Sequence, residues 1–261
     1  MRVFSLLRIA GATIMKELIV QEWEFLFRFI AGVLKVSAFA WLARISGNIE
    51  AITFLGFGAL FVMVWTGVIA RGGWVMEQEV GAGTMDFVLI SKAPLSVVLL
   101  SKVVASTLTN VPTGIVCTIT VFLVSMVFPH IENIAVLCFA IVLGFLSIAA
   151  VGFFACVLVV LVGGRAGVFM GIVPLGTVLG GFVLPLEKMP LFVRALSSCV
   201  PSSWAMNSLW IAVSGYVDWH ELVYSLLLCI GLLVVWIAVS YLLCKRAEWR
   251  IRISGNLGRQ W

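Results

Sequence analysis

The sequence predicts an all-α integral membrane protein of six spanning helices, and three observations carry that prediction. Hydrophobic residues make up 62% of the 261 positions and charged residues only 11%, against roughly 45–50% and 25% in soluble domains; mean hydropathy is +1.17. Such a chain lacks the polar surface that water demands. Its apolar stretches run unbroken for about 20 residues, enough to cross about 30 Å of hydrocarbon, and do not alternate as barrel strands would. Lysine and arginine, finally, are distributed unevenly among the connections.

Taken in order, residues 1–24 place Arg8, Lys16, Glu17, Glu22 and Glu24 among Leu, Ile and Trp, which suits an N-terminal interfacial segment. Arg2, Arg8 and Lys16 interrupt the apolar core that a signal peptide needs. Spans are expected at 25–44, 53–72, 98–127, 134–162, 166–184 and 221–244. The third and fourth are long enough to tilt or to overrun the membrane surface. Residues 45–52 and 128–133 are short external loops, and Gly163–Ala166 is a tight cytoplasmic turn. There is no repeat, low-complexity linker or soluble domain, so 1–261 reads as one transmembrane unit.

Residues 185–220 form an extracytoplasmic segment of another kind. Pro185, Pro190 and Pro201 cut it into pieces, because proline ends a preceding helix yet fits the first turn of the next. Helices over 191–199 and 202–213 are too short to cross at 1.5 Å per residue. A re-entrant pair is expected over a surface loop, since Leu191, Phe192, Val193, Leu196 and Trp204 suit water poorly.

The positive charges orient the chain. With the N-terminus inside, the cytoplasmic side holds Arg2, Arg8, Lys16, Arg71, Lys92, Lys102, Arg165, Lys245, Arg246, Arg250, Arg252 and Arg259, and the other side only Arg44, Lys188 and Arg194. Both termini are thus expected in the cytoplasm of an inner (cytoplasmic) membrane. The basic tail 245–261 fixes topology and attracts anionic lipid; no basic surface accompanies it that would suit nucleic acid. Cys117, Cys138, Cys156, Cys199, Cys229 and Cys244 lack CxxC or ligand spacing and read as packing thiols.

No phosphate-binding G-x-x-x-x-G-K-[ST] occurs, and His130 and His220 stand alone at opposite ends of the outer face. With no nucleophile–base pair or metal spacing, neither an enzyme nor a metal protein is expected. Gly163, Gly167, Gly171, Gly176 and Gly180 follow one another around Pro174. Small residues at such spacing let helices approach where lipid gives no hydrophobic gain. The fifth span is therefore expected to pack closely on another helix, within the chain or across a dimer. Arg28 and Lys35 lie seven residues apart in the first span, on nearly one face. Arg28 is positioned to snorkel. Lys35 is deeper, where a charge costs at least about 2.5–3.5 kcal/mol, and is expected to face an interface or a wet pathway holding an anionic group.

The one long polar island is 77–96. Thr84 can cap a helix and Asp86 favours its N-terminus, while Met85, Phe87, Val88, Leu89 and Ile90 supply apolar contacts. A solvated loop is the plainer reading; a cytoplasmic helix with that apolar surface calls for a covering partner.

The island Glu79-x-x-x-Gly83-Thr84-Met85-Asp86-x-x-Leu89-x-Ser91-x-x-Pro94-Leu95-Ser96 resembles the E-x-G-T-x-E/D-x-L-x-x-S/T-P segment of ATP-binding-cassette type-2 exporter permeases. Gly181–Pro185 with Met189-Pro190, followed by Pro201-x-x-Trp204, is similar to the G-x-x-x-P-x-x-x-M-P stretch those permeases carry before their last span. With length and topology, the resemblance covers essentially the whole chain. Val80 and Ala82 around Gly81, and the late proline of Ser91–Pro94, depart from the pattern. The resemblance implies a permease subunit without an ATPase site of its own. It would pair with a second copy or a sister chain and dock on two separate cytoplasmic ATPase subunits that bind ATP and Mg. Glu79, Gly83, Thr84, Met85, Asp86, Leu89, Ser91 and Pro94 would form the coupling helix. The first, second and fifth spans would flank a pathway for an amphiphilic or hydrophobic substrate. Pro185, Met189, Pro190, Pro201 and Trp204 would build the outer gate. The alternative is a six-helix ion-coupled carrier or channel, which would need several coordination sites near the midplane.

Overall fold

The structure, a computed structural model, describes residues 11–12, 22–46, 49–81, 94–127, 129, 131, 133–162, 166–213 and 218–254. All secondary structure among the described residues is helical. The helices are α1 (Glu22–Ser46), α2 (Ile49–Gly81), α3 (Leu95–Ser125), α4 (Ile134–Val162), α5 (Ala166–Leu179), α6 (Leu191–Ser197), α7 (Pro201–Val213) and α8 (Trp219–Ser254), with a 3-10 turn at Leu186–Lys188. Four stretches are long and apolar enough to cross a membrane: Ile52–Ala70, Leu95–Ser125, Ile134–Leu161 and Trp219–Trp249. The chain is a multi-pass membrane protein. In α1 the apolar run is shorter, Phe29–Trp41.

α2 is the axis of the bundle. Phe54, Phe57, Phe61, Val64, Trp65, Val68 and Ile69 are all buried along it, and α1, α3, α4 and α5 pack around it. Lipid supplies no hydrophobic drive between helices, so close approach depends on small residues and on polar pins. A Cβ on Gly114 of α3 would come within 2.8 Å of the Leu60 carbonyl, and Gly144 and Gly152 of α4 lie against Phe61 and Val68. Pins join the same surfaces: the hydroxyls of Ser106 and Thr118 donate to the carbonyls of Gly67 and Gly56, at 3.2 and 3.0 Å. These pairings make α3 antiparallel to α2 and α4 parallel to it. α8 runs parallel to α4, with Ser147 beside Cys229 and Phe154 against Trp236.

Three elements differ from the sequence expectation. α2 does not stop near residue 72 but continues as helix to Gly81, so Glu77 and Glu79 belong to its last turns rather than to a separate island. α8 begins at Trp219, where the Asp218 carboxylate accepts from the backbone N–H groups of His220 and Glu221. It carries the basic residues Lys245 and Arg246 along its own helix to Ser254. The fifth span, expected over 166–184, is 14 residues of helix, about 21 Å at 1.5 Å per residue. It ends because Gly180 and Gly181 turn the chain: Gly180 N–H bonds to Gly176 at 2.8 Å and Gly181 N–H to Val178 at 3.0 Å. Gly181 sits at φ +72°, a left-handed termination that glycine adopts without steric cost.

Candidate functional site: a lysine-edged cleft and an inserted helical hairpin

The chain then makes a helical hairpin, α6 and α7, close to the two short helices read from the prolines. Pro190 precedes α6, and Pro201 opens α7. α7 is not a surface helix. Pro201, Ser202, Ser203, Ala205, Met206, Ser208, Leu209, Ile211, Ala212 and Val213 are buried, and the helix lies between α4 and α8. It runs antiparallel to α8: the Cys199 carbonyl accepts from the Trp236 indole at 3.0 Å, Ala205 packs with Cys229, and Asn207 donates to Ser225 at 3.0 Å. Trp236 stands about 25 Å along α8 from Trp219, which puts the hairpin tip far along the length of the bundle, on its surface at Cys199. Non-helical backbone at that depth must be satisfied by protein, and it is. Ser197 Oγ donates to the Leu179 carbonyl at 2.6 Å, Ser203 Oγ to Ser197 O at 2.6 Å, and Trp204 Nε1 to Ser198 O at 2.9 Å. The tip is thus tied to the end of α5. Of the residues assigned to the outer gate, Met189 and Pro201 are buried, Pro185 precedes the 3-10 turn, Pro190 starts α6, and Trp204 holds the tip.

Beside the α5 terminus, Phe182 returns against α2. Its ring stacks on Phe61 at 5.9 Å and lies 6.1 Å from Trp65, and its carbonyl fills the space where Gly58 lacks a side chain. Trp65 also donates to the Val173 carbonyl at 3.1 Å, about two turns before the break. On the other side of this contact is a cleft of about 220 Å³, lined by Val36, Phe39, Leu55, Val62, Thr177 and Phe182 among others, with Lys35 as the only charged residue among the described residues that line it. Lys35 is exposed and forms no hydrogen bond or ion pair among the described residues. The cleft therefore offers an apolar slot and a single ammonium.

Sequence reasoning found Lys35 but not the slot. Phe182, Thr177 and Gly58 carried no signal beyond small or apolar character, and their meeting depends on where α5 stops. Arg28 lies in α1, but its side chain is outside the described residues. The glycine series divides. Gly176 packs against Trp65 and Gly180 against Phe182, whereas a Cβ on Gly171 would meet nothing within 4 Å among the described residues. Close packing within the chain is thus seen at Gly176 and Gly180 and not at Gly171. Gly163 lies outside the described residues, as do the surroundings of Gly167. Of the coupling segment, Glu79 lies in the last turn of α2, Pro94 caps the start of α3 in extended conformation, and Gly83, Thr84, Met85, Asp86, Leu89 and Ser91 lie outside the described residues. Comparison with protein-family models and with curated proteins finds no match for this chain.

Proposed function

We propose that this chain is the membrane-spanning permease subunit of an ATP-driven exporter of the ATP-binding-cassette type-2 kind. α1 and α5 complete six membrane segments with the four long helices, and both termini face the cytoplasm of the inner membrane. The subunit works with a second copy or a sister chain on two cytoplasmic ATPase subunits, where ATP and Mg bind and hydrolysis occurs. The observation that carries this reading is the α6–α7 hairpin, whose second helix is buried between α4 and α8 and whose tip is tied to the broken end of α5. It lies at the place the sequence resemblance assigns to the outer gate.

α2 supplies the mechanical link. It is one uninterrupted helix of 33 residues, about 50 Å long, of which about 29 Å separate the Gly58–Phe182 contact from the start of the 77–96 segment. A displacement applied by the ATPase at that segment reaches the cleft through a rigid element. An amphiphile places its apolar part in the cleft and an anionic headgroup at Lys35. The rival reading, an ion-coupled carrier, draws on the broken α5, since discontinuous helices mark carrier sites. Among the described residues of the cleft it has only Lys35 to offer for coordination.

The test is to purify the chain with a co-expressed ATPase from its own gene neighbourhood and compare ATP turnover with and without Glu79→Ala/Asp86→Ala. Stable assembly, with permease-dependent turnover lost in the variant, is the expected result. Failure of any ATPase to associate overturns the motor and leaves the carrier.

A further inference from the structure

Where α8 begins, a second pocket of about 230 Å³ opens between the hairpin and α8, and its chemistry is unlike that of the Lys35 cleft. Glu187, Arg194 and Glu221 all line it, yet no ion pair joins Arg194 to either carboxylate among the described residues. Trp204 and Tyr224 form one corner, with ring centroids 5.9 Å apart and planes at 86°. The Trp204 ring is fixed by its bond to Ser198. Asn207 spends its amide N–H on Ser225 and keeps a carbonyl oxygen free to accept.

These groups sort by chemistry into two halves. Two carboxylates, one amide oxygen and a perpendicular aromatic corner suit a cation with N–H donors. One guanidinium suits a phosphate. We propose that this pocket binds the headgroup of a zwitterionic membrane phospholipid of the phosphoethanolamine type, with the phosphate on Arg194 and the ammonium in the Glu187–Glu221–aromatic corner.

The location points to a lipid rather than to a free solute. The pocket lies within the first two turns of α8, whose opening residue Trp219 is an exposed aromatic of the kind that settles at the headgroup level. On the adjoining helix, Leu191 is 86% and Phe192 75% exposed, an apolar surface on which acyl chains can lie. Three acceptors match the three N–H donors of a primary ammonium, whereas a trimethylammonium group offers none. The pocket therefore selects ethanolamine over choline, and Arg194 excludes no phosphate but the carboxylates repel a purely anionic headgroup. This site is independent of any ATPase.

The experiment is native mass spectrometry of the purified full chain, stripped of lipid and titrated with phosphatidylethanolamine, phosphatidylcholine and phosphatidylglycerol of matched acyl chains. One phosphatidylethanolamine per chain should be retained about tenfold better than phosphatidylglycerol, the sum of two modest polar contacts. Arg194→Gln/Glu221→Gln should erase that preference, and Tyr224→Leu should weaken it about threefold. All three positions are exposed, so the variants should keep the parent's melting temperature. Equal or stronger retention of phosphatidylglycerol, or a preference that survives the double variant, overturns the proposal. Saturation by water-soluble phosphoethanolamine at the affinity of the whole lipid would show a solute site and overturn the lipid assignment.

Discussion

Gly58→Ala should destabilise the protein although alanine is the better helix former. In an ordinary helix the exchange stabilises by about 1 kcal/mol. At Gly58 the new methyl lands on the Phe182 carbonyl, a backbone atom that cannot swing aside as a side-chain tip would. Phe182 is itself held, 1% exposed between Phe61 and Trp65 and directly after Gly181 in its left-handed turn. Overpacking of this kind costs about 1–3 kcal/mol, and a pinned backbone neighbour favours the upper part of that range. After the helix gain is subtracted, a net loss of about 1–2 kcal/mol remains. Gly231→Ala in α8 is the matched control, because its methyl would meet nothing within 4 Å among the described residues; it should be neutral or stabilising by up to about 1 kcal/mol. Unfolding in mixed micelles, followed by circular dichroism with rising SDS, measures both. If Gly58→Ala and Gly231→Ala shift the midpoint in the same direction, the account of the α2–Phe182 contact is wrong.

Other expectations follow from the same geometry. Trp236→Phe keeps the ring against Phe154 but removes the donor to Cys199; stability should fall by about 1–3 kcal/mol, and proteolysis between Ser197 and Pro201 should quicken. Lys35→Leu removes an exposed charge that has no partner among the described residues from an apolar stretch, so the midpoint of unfolding should hold or rise. Binding of an anionic detergent should weaken, read as a loss of protection against heat. Gly171→Leu should leave the fold of one chain intact, since the position is open. If two copies pack through α5, it should shift the pair toward monomer in analytical ultracentrifugation.

The long helices were readable in the sequence because membrane length and apolar composition are properties of each segment alone. The prolines at 185, 190 and 201 were equally local signals, and they placed α6 and α7 to within a few residues. What could not be read was depth. That α5 ends at Leu179 depends on Gly181 turning left-handed and on Ser197 and Phe182 arriving to cover the end, contacts made by residues distant along the chain. The same holds for the glycines. Close approaches fall at Gly58, Gly67, Gly144 and Gly152 on α2 and α4, where spacing gives no regular motif, as well as at Gly176 of the conspicuous series, while Gly171 of that series meets nothing within 4 Å among the described residues. Lys35 stood out as a charge in an apolar run. Its slot did not, because apolar linings are indistinguishable from lipid-facing surface until the helices are placed.

The indole that satisfies Cys199 belongs to a residue 37 positions further along the chain. A ribosome delivers α6 and α7 before it delivers α8. Until α8 has been made, the hairpin lacks both the donor for its tip and the helix that covers α7, and exposed carbonyls keep it out of hydrocarbon. Docking of residues 201–213 is therefore expected to depend on the last helix to be made, and truncation before Trp236 should leave the Cys199 carbonyl without its donor and α7 without one of its two covering helices.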